Sequence, residues 1–314
     1  MSIPMIVDTD AGVDDAVALM MLLRDATVDL KAVTTVSGNV PVHKVNRNVG
    51  LLVSYFERDI PVFGGSALPL WGPSMDSEDL MGEDGLGGAS VLFERPASVP
   101  EAESAAAALV RLSREKAPAA GSTLLAIGPL TNLALAVRLD PGFAARVPHL
   151  VVMGGAVHGI GNMTAAAEFN ILADPEAARI VFSAGFPRVT VFPWETCIKT
   201  PVPWKEYERL TALQTADGRL FTSITRSMAI LQKDQFHSPG FLVPDLYAAA
   251  LAVSDDYVTL ARPGFLEVDD AFGSGRGLTS VRWNLDQGSS ANVRVIEEFD
   301  LEKLLQALTK ALGG

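Results

Sequence analysis

The residues with the clearest chemical potential lie near the start of the sequence, in the stretch IVDTDAGVDDAVALMML. Asp8, Asp10, Asp14 and Asp15 fall within eight residues, and no Lys or Arg precedes Arg24. Like charges about 4 Å apart repel by roughly 4 kcal/mol at an effective dielectric of 20, so a fold that gathers these carboxylates must compensate them. Helix capping accounts for one or two aspartates but not for four. An oxygen-only cluster suits a hard cation such as Ca²⁺ or Mg²⁺.

Other polar residues in the sequence have both a chemical and a structural interpretation. They are Asp245 in FLVPDLYAAALAV, Glu168 and Asn170 in AEFNILADPEAA, Asn39 in SGNV and Asn162 in GIGN. Asp245 is a candidate metal ligand or a helix N-cap. Glu168 and Asn170, in a segment expected to be extended, can hold a vicinal diol or stabilise a loop. The two other asparagines also suit turns.

The elements that must position these residues alternate along the chain, which predicts a single α/β domain over residues 1–314 with a mostly parallel central sheet flanked by helices. The apolar, β-rich runs are IPMIVD, LKAVTTVS, IPVFGG, TLLAIG, HLVVMGG and RVTVFP. Amphipathic helices are predicted over Asp14–Arg24, Val42–Phe56, Ser104–Glu115 and Pro175–Ala184. Polar motifs follow the strands, and ligands of such sheets bind at the carboxyl ends of strands, so we expect the active site there.

Later segments have less regular patterns. The glycine-rich, acidic stretch Leu70–Gly88 predicts a loop over the site, with an ordinary surface connection as the alternative. Trp204–Asp234 predicts two helices. Short strands are expected from Ser254 onward, before a final helix at Leu301–Leu312.

Composition excludes several classes of protein. A net charge of −12 and a pI near 4.8 provide no basic surface for nucleic acid. Cys197 is the only cysteine, which rules out an internal disulfide and a multi-cysteine zinc site. The start has no basic region of the kind found in secretory signals, and Gly, Pro and Asn interrupt the longest uncharged stretches. We therefore expect a cytoplasmic protein with no membrane or nucleic-acid partner.

Together, DTDAGVDDAVAL, SGNV, AIGPLTNLA, VVMGGAV and AEFNILADPEAA resemble, in this order, the inosine-uridine nucleoside hydrolase family. The resemblance runs from residue 6 to about residue 253 and implies a Rossmann-like nucleoside hydrolase fold. It implies a Ca²⁺ held by Asp10, Asp15, Asp245 and the backbone carbonyl of Ile127. It also implies that Asp10 is the general base for a Ca²⁺-bound water that attacks the anomeric carbon. The residues implied to hold the ribose are Asp14, Asn39, Asn162, Glu168 and Asn170.

The base side departs from the family pattern. Many members carry histidines where this sequence has Met81 and Pro244, and purine-selective members stack the base on tryptophans, which these two positions do not supply. The residues left as candidates for the base pocket are Trp71, Trp194, Glu195 and His237. Each has a structural alternative as a core, rim, capping or loop residue. The acid that protonates the leaving base is then His237, Glu195, a tyrosine or solvent.

The sequence therefore predicts Ca²⁺-dependent hydrolysis of ribonucleosides to ribose and free base, a salvage reaction, in a homodimer or homotetramer. One alternative is a Mg²⁺-dependent phosphohydrolase, because a DxD after a first strand can form an aspartyl-phosphate. It would need a lysine to neutralise the phosphate, and the strand ends provide none. The other alternative, motivated by the missing histidines, is a non-catalytic Ca²⁺- or ribose-binding protein on the same scaffold.

Overall fold

A mixed β-sheet forms the centre of the fold. The computed structural model describes residues 2–115, 122–285 and 290–314. Its strands are β1 (Ile3–Thr9), β2 (Val28–Thr35), β3 (Val62–Phe63), β4 (Thr123–Ala126), β5 (His149–Met153), β6 (Val189–Phe192), β7 (Val202–Pro203), β8 (Gly240–Phe241), β9 (Val258–Val268), β10 (Thr279–Arg282) and β11 (Val293–Phe299). Nine of them form one sheet in the order β10-β9-β11-β6-β5-β4-β1-β2-β3, and β7 pairs with β8. The pairs from β11 through to β3 are parallel, which confirms the predicted sheet.

Helices connect the strands. They are α1 (Val13–Arg24), α2 (Val42–Tyr55), α3 (Glu78–Met81), α4 (Ala105–Arg114), α5 (Thr131–Leu139), α6 (Phe143–Arg146), α7 (Phe169–Ala173), α8 (Pro175–Phe182), α9 (Trp194–Lys199), α10 (Trp204–Thr211), α11 (Ala216–Ile230), α12 (Pro244–Val253) and α13 (Leu301–Ala311). The four predicted amphipathic segments form α1, α2, α4 and α8, with ends within two residues of those expected. The two helices predicted over Trp204–Asp234 are α10 and α11, and α13 is the final helix predicted over Leu301–Leu312.

Two apolar helices lie in the interior and begin at the carboxyl edge of the sheet. All residues of α1 from Val13 to Leu23 are buried, and α12 is buried from Pro244 to Ala252. A helix that is hydrophobic on every side belongs in a core. In the described ranges, no helix is both long and apolar enough to cross a membrane. The burial of α1 and α12 brings the aspartates in their first turns into the interior.

The C-terminal strands differ from the short strands expected there. Strand β9 has eleven residues and is antiparallel to both of its neighbours. Residues 258–264 pair with β11, and residues 265–268 pair with β10. The strand is long because its two halves serve two different partners, which the local sequence pattern does not reveal.

Candidate active site

The predicted polar residues gather where the parallel strands end. Asp8 pairs in register with Thr34 of β2 and with Ala126 of β4, so β1, β2 and β4 end at the same level. Asp10 therefore lies beside the segment that carries Asn39, which follows β2, and close to the residues that follow β4. The expectation that these motifs share one edge of the sheet is confirmed.

A tight turn between β1 and α1 directs Asp14 and Asp15 into the site. Ala11 has a φ of +35° and its carbonyl accepts a hydrogen bond from Asn48 Nδ2 at 3.2 Å. An L-residue in this left-handed region is disfavoured by roughly 1–2 kcal/mol, so the surrounding structure holds it there. Gly12 precedes the helix, and its N–H donates to Asp15 Oδ2 at 2.9 Å.

Three buried carboxylates form a tight acidic group within the described part of the chain. Oxygen atoms of Asp14, Asp15 and Asp245 lie within 4.8 Å of one another. Burial, followed by the charge of Asp15, raises the pKa of Asp14 to about 7. Burial also raises the pKa of Asp245 well above its usual value, and the neighbouring aspartates add to this effect. Burial and the charge of Asp15 likewise raise the pKa of Asp10. Asp10 lies beside this group, because Asn39 donates hydrogen bonds both to Asp10 and to Asp15.

The acidic group has the properties of a cation site. Asp10 Oδ1 and Asp14 Oδ1 are buried without a hydrogen-bond partner in the described structure, although buried polar atoms are normally paired. The partners of Asp15 are a hydroxyl and two amides: Thr9 Oγ1, the Gly12 N–H and Asn39 Nδ2. Uncompensated carboxylates with an oxygen-only donor set fit a hard divalent cation.

Of the three aspartates predicted to be metal ligands, two belong to this group and Asp10 does not. Asp15 and Asp245 belong to it, whereas Asp14, expected at the ribose, is its third member. The carbonyl of Ile127 accepts a hydrogen bond from Asn170 Nδ2 at 3.1 Å. A carbonyl oxygen has two lone pairs, so this bond leaves one free for a cation.

Asn39 connects the acidic group to the loop above it. Its N–H donates to Asp10 Oδ2 at 2.7 Å, and its Nδ2 donates to Asp15 Oδ2 at 3.0 Å. The hydroxyl of Ser77 donates to Asn39 Oδ1 at 2.7 Å. The side chain of Asn39 therefore has protein partners on both of its polar atoms, and its contact with a ribose stays a prediction.

Asp8 lies in β1, two residues before Asp10, and its described hydrogen bonds come from residues outside the acidic group. It is fully buried, accepts hydrogen bonds from Thr34 Oγ1 and from Asn132 Nδ2, and has one oxygen without a partner in the described structure. Burial raises its pKa to about 7, although both hydrogen bonds oppose that rise. Through these two hydrogen bonds, Asp8 joins the end of β1 to β2 and to α5.

The expected extended segment around Glu168 and Asn170 is wrong. Glu168 is the N-cap of α7, and its carboxylate accepts hydrogen bonds from the N–H groups of Asn170 at 2.9 Å and Ile171 at 3.3 Å. A carboxylate that caps two N–H groups favours a helical turn at this point. Burial raises the pKa of Glu168 to about 6. Asn162 joins this group, because its Oδ1 accepts from the Phe169 N–H at 2.9 Å.

The predicted loop over Leu70–Gly88 contacts the acidic motif, which excludes an ordinary surface connection. Ser77 bonds Asn39, and the buried Met81 accepts a hydrogen bond from the Val13 N–H through Sδ at 3.4 Å. The loop also contains the short helix α3, which the sequence pattern did not predict. Asp84 stabilises the segment that follows α3, because its carboxylate accepts hydrogen bonds from the backbone N–H groups of Leu86, Gly88 and Ser90.

The base-side candidates occupy different environments. Trp71 is 56% exposed and packs edge-to-face on Phe272, whereas Trp194 packs at the edge of the core. His237 lies on an exposed turn with a φ of +50°. Glu195 is fully buried, and both of its oxygens accept backbone N–H bonds. Glu195 is therefore unsuited to be the proton donor.

Sequence reasoning missed three residues that shape the site. Thr9 donates to Asp15 Oδ1 and accepts from the Ala11 N–H at 3.1 Å. Its position between two aspartates was a signal for such a role. Ser77 and Thr279 gave no local signal, because each contacts the site from a distant part of the chain. Thr279 Oγ1 accepts from the N–H of Ala156 at 2.8 Å.

The fold and the site together define an α/β protein whose carboxylates can hold a hard cation. The Asn and Glu side chains beside them can bind a ligand that carries several hydroxyls. Residues 5–306 match the family described as inosine-uridine preferring nucleoside hydrolase. The chain is 32% identical to the pyrimidine-specific ribonucleoside hydrolase RihA of Salmonella arizonae, over 99% of both chains. The chain belongs to this family and is a nucleoside hydrolase, which confirms the resemblance seen in the sequence.

Solved structures show the same fold. A plant nucleoside hydrolase, PpNRh1, superposes with a TM-score of 0.90 at 29% identity, covering 99% of both chains. An inosine-guanosine nucleoside hydrolase superposes with a TM-score of 0.91 at 28% identity, covering 100% of this chain and 99% of the other. The predicted nucleoside hydrolase fold is confirmed.

Proposed function

We propose that this enzyme hydrolyses the N-glycosidic bond of ribonucleosides, releasing ribose and the free base, in a Ca²⁺-dependent salvage reaction in the cytoplasm. The observation that carries the proposal is the buried acidic group with unpaired oxygens, which lies beside an Asn and Glu set suited to hydroxyls. The residues proposed to hold Ca²⁺ are Asp10, Asp15, Asp245 and the carbonyl of Ile127. A cation held there would neutralise the carboxylates and would lower the pKa of a nearby water molecule.

Asp10 is proposed to be the general base. Its Oδ2 accepts the Asn39 N–H, which fixes the carboxylate, and its Oδ1 is unpartnered and available for a proton. As the oxygen of water bonds to the anomeric carbon, Asp10 takes the proton of that water. The bond from the anomeric carbon to the base nitrogen breaks, and its electron pair leaves with the base.

The remaining carboxylates and amides are proposed to recognise the sugar. Charge develops on the ribose in an oxocarbenium-like transition state, which nearby carboxylates stabilise. The residues proposed to hold the ribose hydroxyls are Asp14, Asn39, Asn162, Glu168 and Asn170. Glu168 suits this role, because its bonds to Gly155, Asn170 and Ile171 fix its carboxylate.

The decisive test is release of ribose from a panel of inosine, guanosine, uridine and cytidine with Ca²⁺ present. The panel spans pyrimidines and purines because RihA is named pyrimidine-specific and one similar structure is an inosine-guanosine hydrolase. We expect turnover of at least one nucleoside and no turnover of p-nitrophenyl phosphate. Ribose binding without turnover of any nucleoside would favour a non-catalytic binding protein. Analytical ultracentrifugation tests the proposed homodimer or homotetramer.

A further inference from the structure

The carboxylate of Glu195 binds the backbone of the loop that follows β5. Its Oε2 accepts from the N–H of Val157 at 3.1 Å. Its Oε1 accepts from the N–H groups of His158 at 2.7 Å and Ile160 at 3.3 Å. The side chain is fully buried in the first turn of α9, so one carboxylate gathers three amides that no sheet or helix pairs.

This loop, residues 154–162, leads to a proposed ribose ligand. It ends at Asn162, which accepts from the Phe169 N–H next to Glu168. The outer part of the loop is open to solvent, with Ile160 55% exposed, so few apolar contacts hold it. A loop that must become ordered on binding loses affinity through conformational entropy, and a preordered loop avoids this loss.

A second anchor holds the same loop through a side chain. His158 Nε2 lies 3.0 Å from Glu297 Oε2, and the imidazole stacks on Trp283 with ring centres 5.6 Å apart. Glu297 belongs to β11, so this anchor joins the loop to the C-terminal strands. Glu195 holds the backbone of the loop, whereas Glu297 holds the side chain of His158.

We propose that Glu195 is a positioning residue, which preorganises the loop after β5 so that Asn162 meets the ribose. This inference rests on the proposed ribose-binding role of Asn162. It assigns Glu195 a function in the reaction that differs from proton donation, since both oxygens are occupied by backbone amides.

The test is Glu195→Gln, which keeps the size of the side chain but replaces one acceptor oxygen with an amide donor. At least one N–H then loses its acceptor. We expect KM to rise about tenfold, which corresponds to about 1.4 kcal/mol of binding. We expect kcat to change little, because uniform loss of ground-state and transition-state binding appears in KM. Amide hydrogen exchange in residues 155–162 should become faster.

Asp217→Asn is the matched control, because it also neutralises a buried carboxylate. Asp217 accepts two hydrogen bonds from Arg24 at the far end of α1 and has no contact with this loop among the described hydrogen bonds. We expect Asp217→Asn to lower the melting temperature and leave KM and the exchange of the loop unchanged. An equal rise in KM for both variants would overturn the inference, since it would show general destabilisation.

The double variant of Glu195→Gln with Asn162→Ala separates this inference from the proposed function. If Glu195 acts through Asn162, the double variant has the KM of Asn162→Ala alone. An additive rise, or an unchanged KM in Glu195→Gln, would overturn the inference. An unchanged KM and ribose Kd in Asn162→Ala would instead overturn the ribose role on which it rests. Should Glu195→Gln not fold, Glu195→Asp, which withdraws the charge by one methylene, is tested in the same way.

Discussion

Gly38 and Asp10 are in direct contact: a Cβ atom on Gly38 would fall 2.1 Å from Oδ2 of Asp10. The same oxygen accepts the N–H of Asn39, so the backbone after β2 forms a wall against the proposed general base. Only a residue without a side chain permits this close approach. The position of Asp10 therefore depends on a glycine that does no chemistry.

Gly38→Ala should displace the Asp10 carboxylate and lower kcat strongly. Overpacking of this kind typically costs 1–3 kcal/mol, so the melting temperature should fall as well. Gly64→Ala is the control, because the nearest atom to its added Cβ is Asn46 Nδ2 at 3.4 Å, an ordinary contact. Steady-state kinetics and thermal melting of both variants test this. Wild-type kcat in Gly38→Ala would show that the position of Asp10 tolerates displacement.

Removal of the proposed cation should lower both stability and activity. Without it, oxygen atoms of the buried Asp14, Asp15 and Asp245 lie within 4.8 Å of one another. In the described part of the chain, the hydrogen bonds to Asp15 come from neutral groups only. A ligand at a hundredfold its Kd stabilises by about 2.7 kcal/mol, so excess chelator should reduce the melting temperature by several degrees. Added Ca²⁺ should restore melting temperature and turnover together. Unchanged melting and turnover in excess chelator would remove the metal from the proposal.

Asp10→Asn and Asn170→Ala should fail in different ways. Asp10→Asn removes the proposed base and a proposed ligand together, so turnover should be abolished. Asn170→Ala should raise KM and also lower stability by about 1–3 kcal/mol, because the carbonyls of Ile127 and Met153 lose a donor. Kinetics, Ca²⁺ titration and thermal melting distinguish the two. Near-wild-type turnover of Asp10→Asn would contradict the proposed mechanism.

The leaving base needs a proton, and Met81 and Pro244 cannot donate one. General acid catalysis typically contributes about 10²- to 10⁴-fold, and His237 on its exposed turn is the candidate donor. His237→Ala should lose activity on a natural nucleoside but keep it on p-nitrophenyl riboside, whose leaving group requires no proton. Equal losses on both substrates would assign His237 to structure or ribose binding. Full activity on both would place it outside the site.

Local sequence was sufficient for residues whose position follows from one strand and its turn. Asp8 and Asp10 were predicted at the end of β1 because a buried apolar run ends there, and the parallel arrangement brings the end of β2 beside them. The motif in α1 was equally clear, since glycine and two aspartates follow the strand directly. Such features depend on residues close together in the chain.

Contacts between distant segments were not predictable in the same way. The hydroxyl of Ser77 donates to Asn39, which lies 38 positions away in the sequence. Glu195 accepts from the N–H of His158, which lies 37 positions away. Single serines occur throughout the sequence, so nothing marks Ser77. Glu195 was predicted as a candidate for the base pocket or for proton donation, and its contact with the loop after β5 was not foreseen. The segment around Glu168 was misassigned for another reason: its carboxylate caps the amides that follow it and turns an apparently extended run into α7.

Strand β11 is the last to appear in the chain, yet it lies inside the sheet between β6 and β9. During synthesis from the N-terminus, Asp10, Asp15 and Asp245 have all emerged from the ribosome before this strand does. Among the described residues, β9 and β10 join the sheet through β11, and β10 carries the Thr279 hydroxyl that holds the loop after β5. A nascent chain that stops at residue 290 therefore has its acidic residues but lacks the strand that joins β9 and β10 to the rest of the sheet.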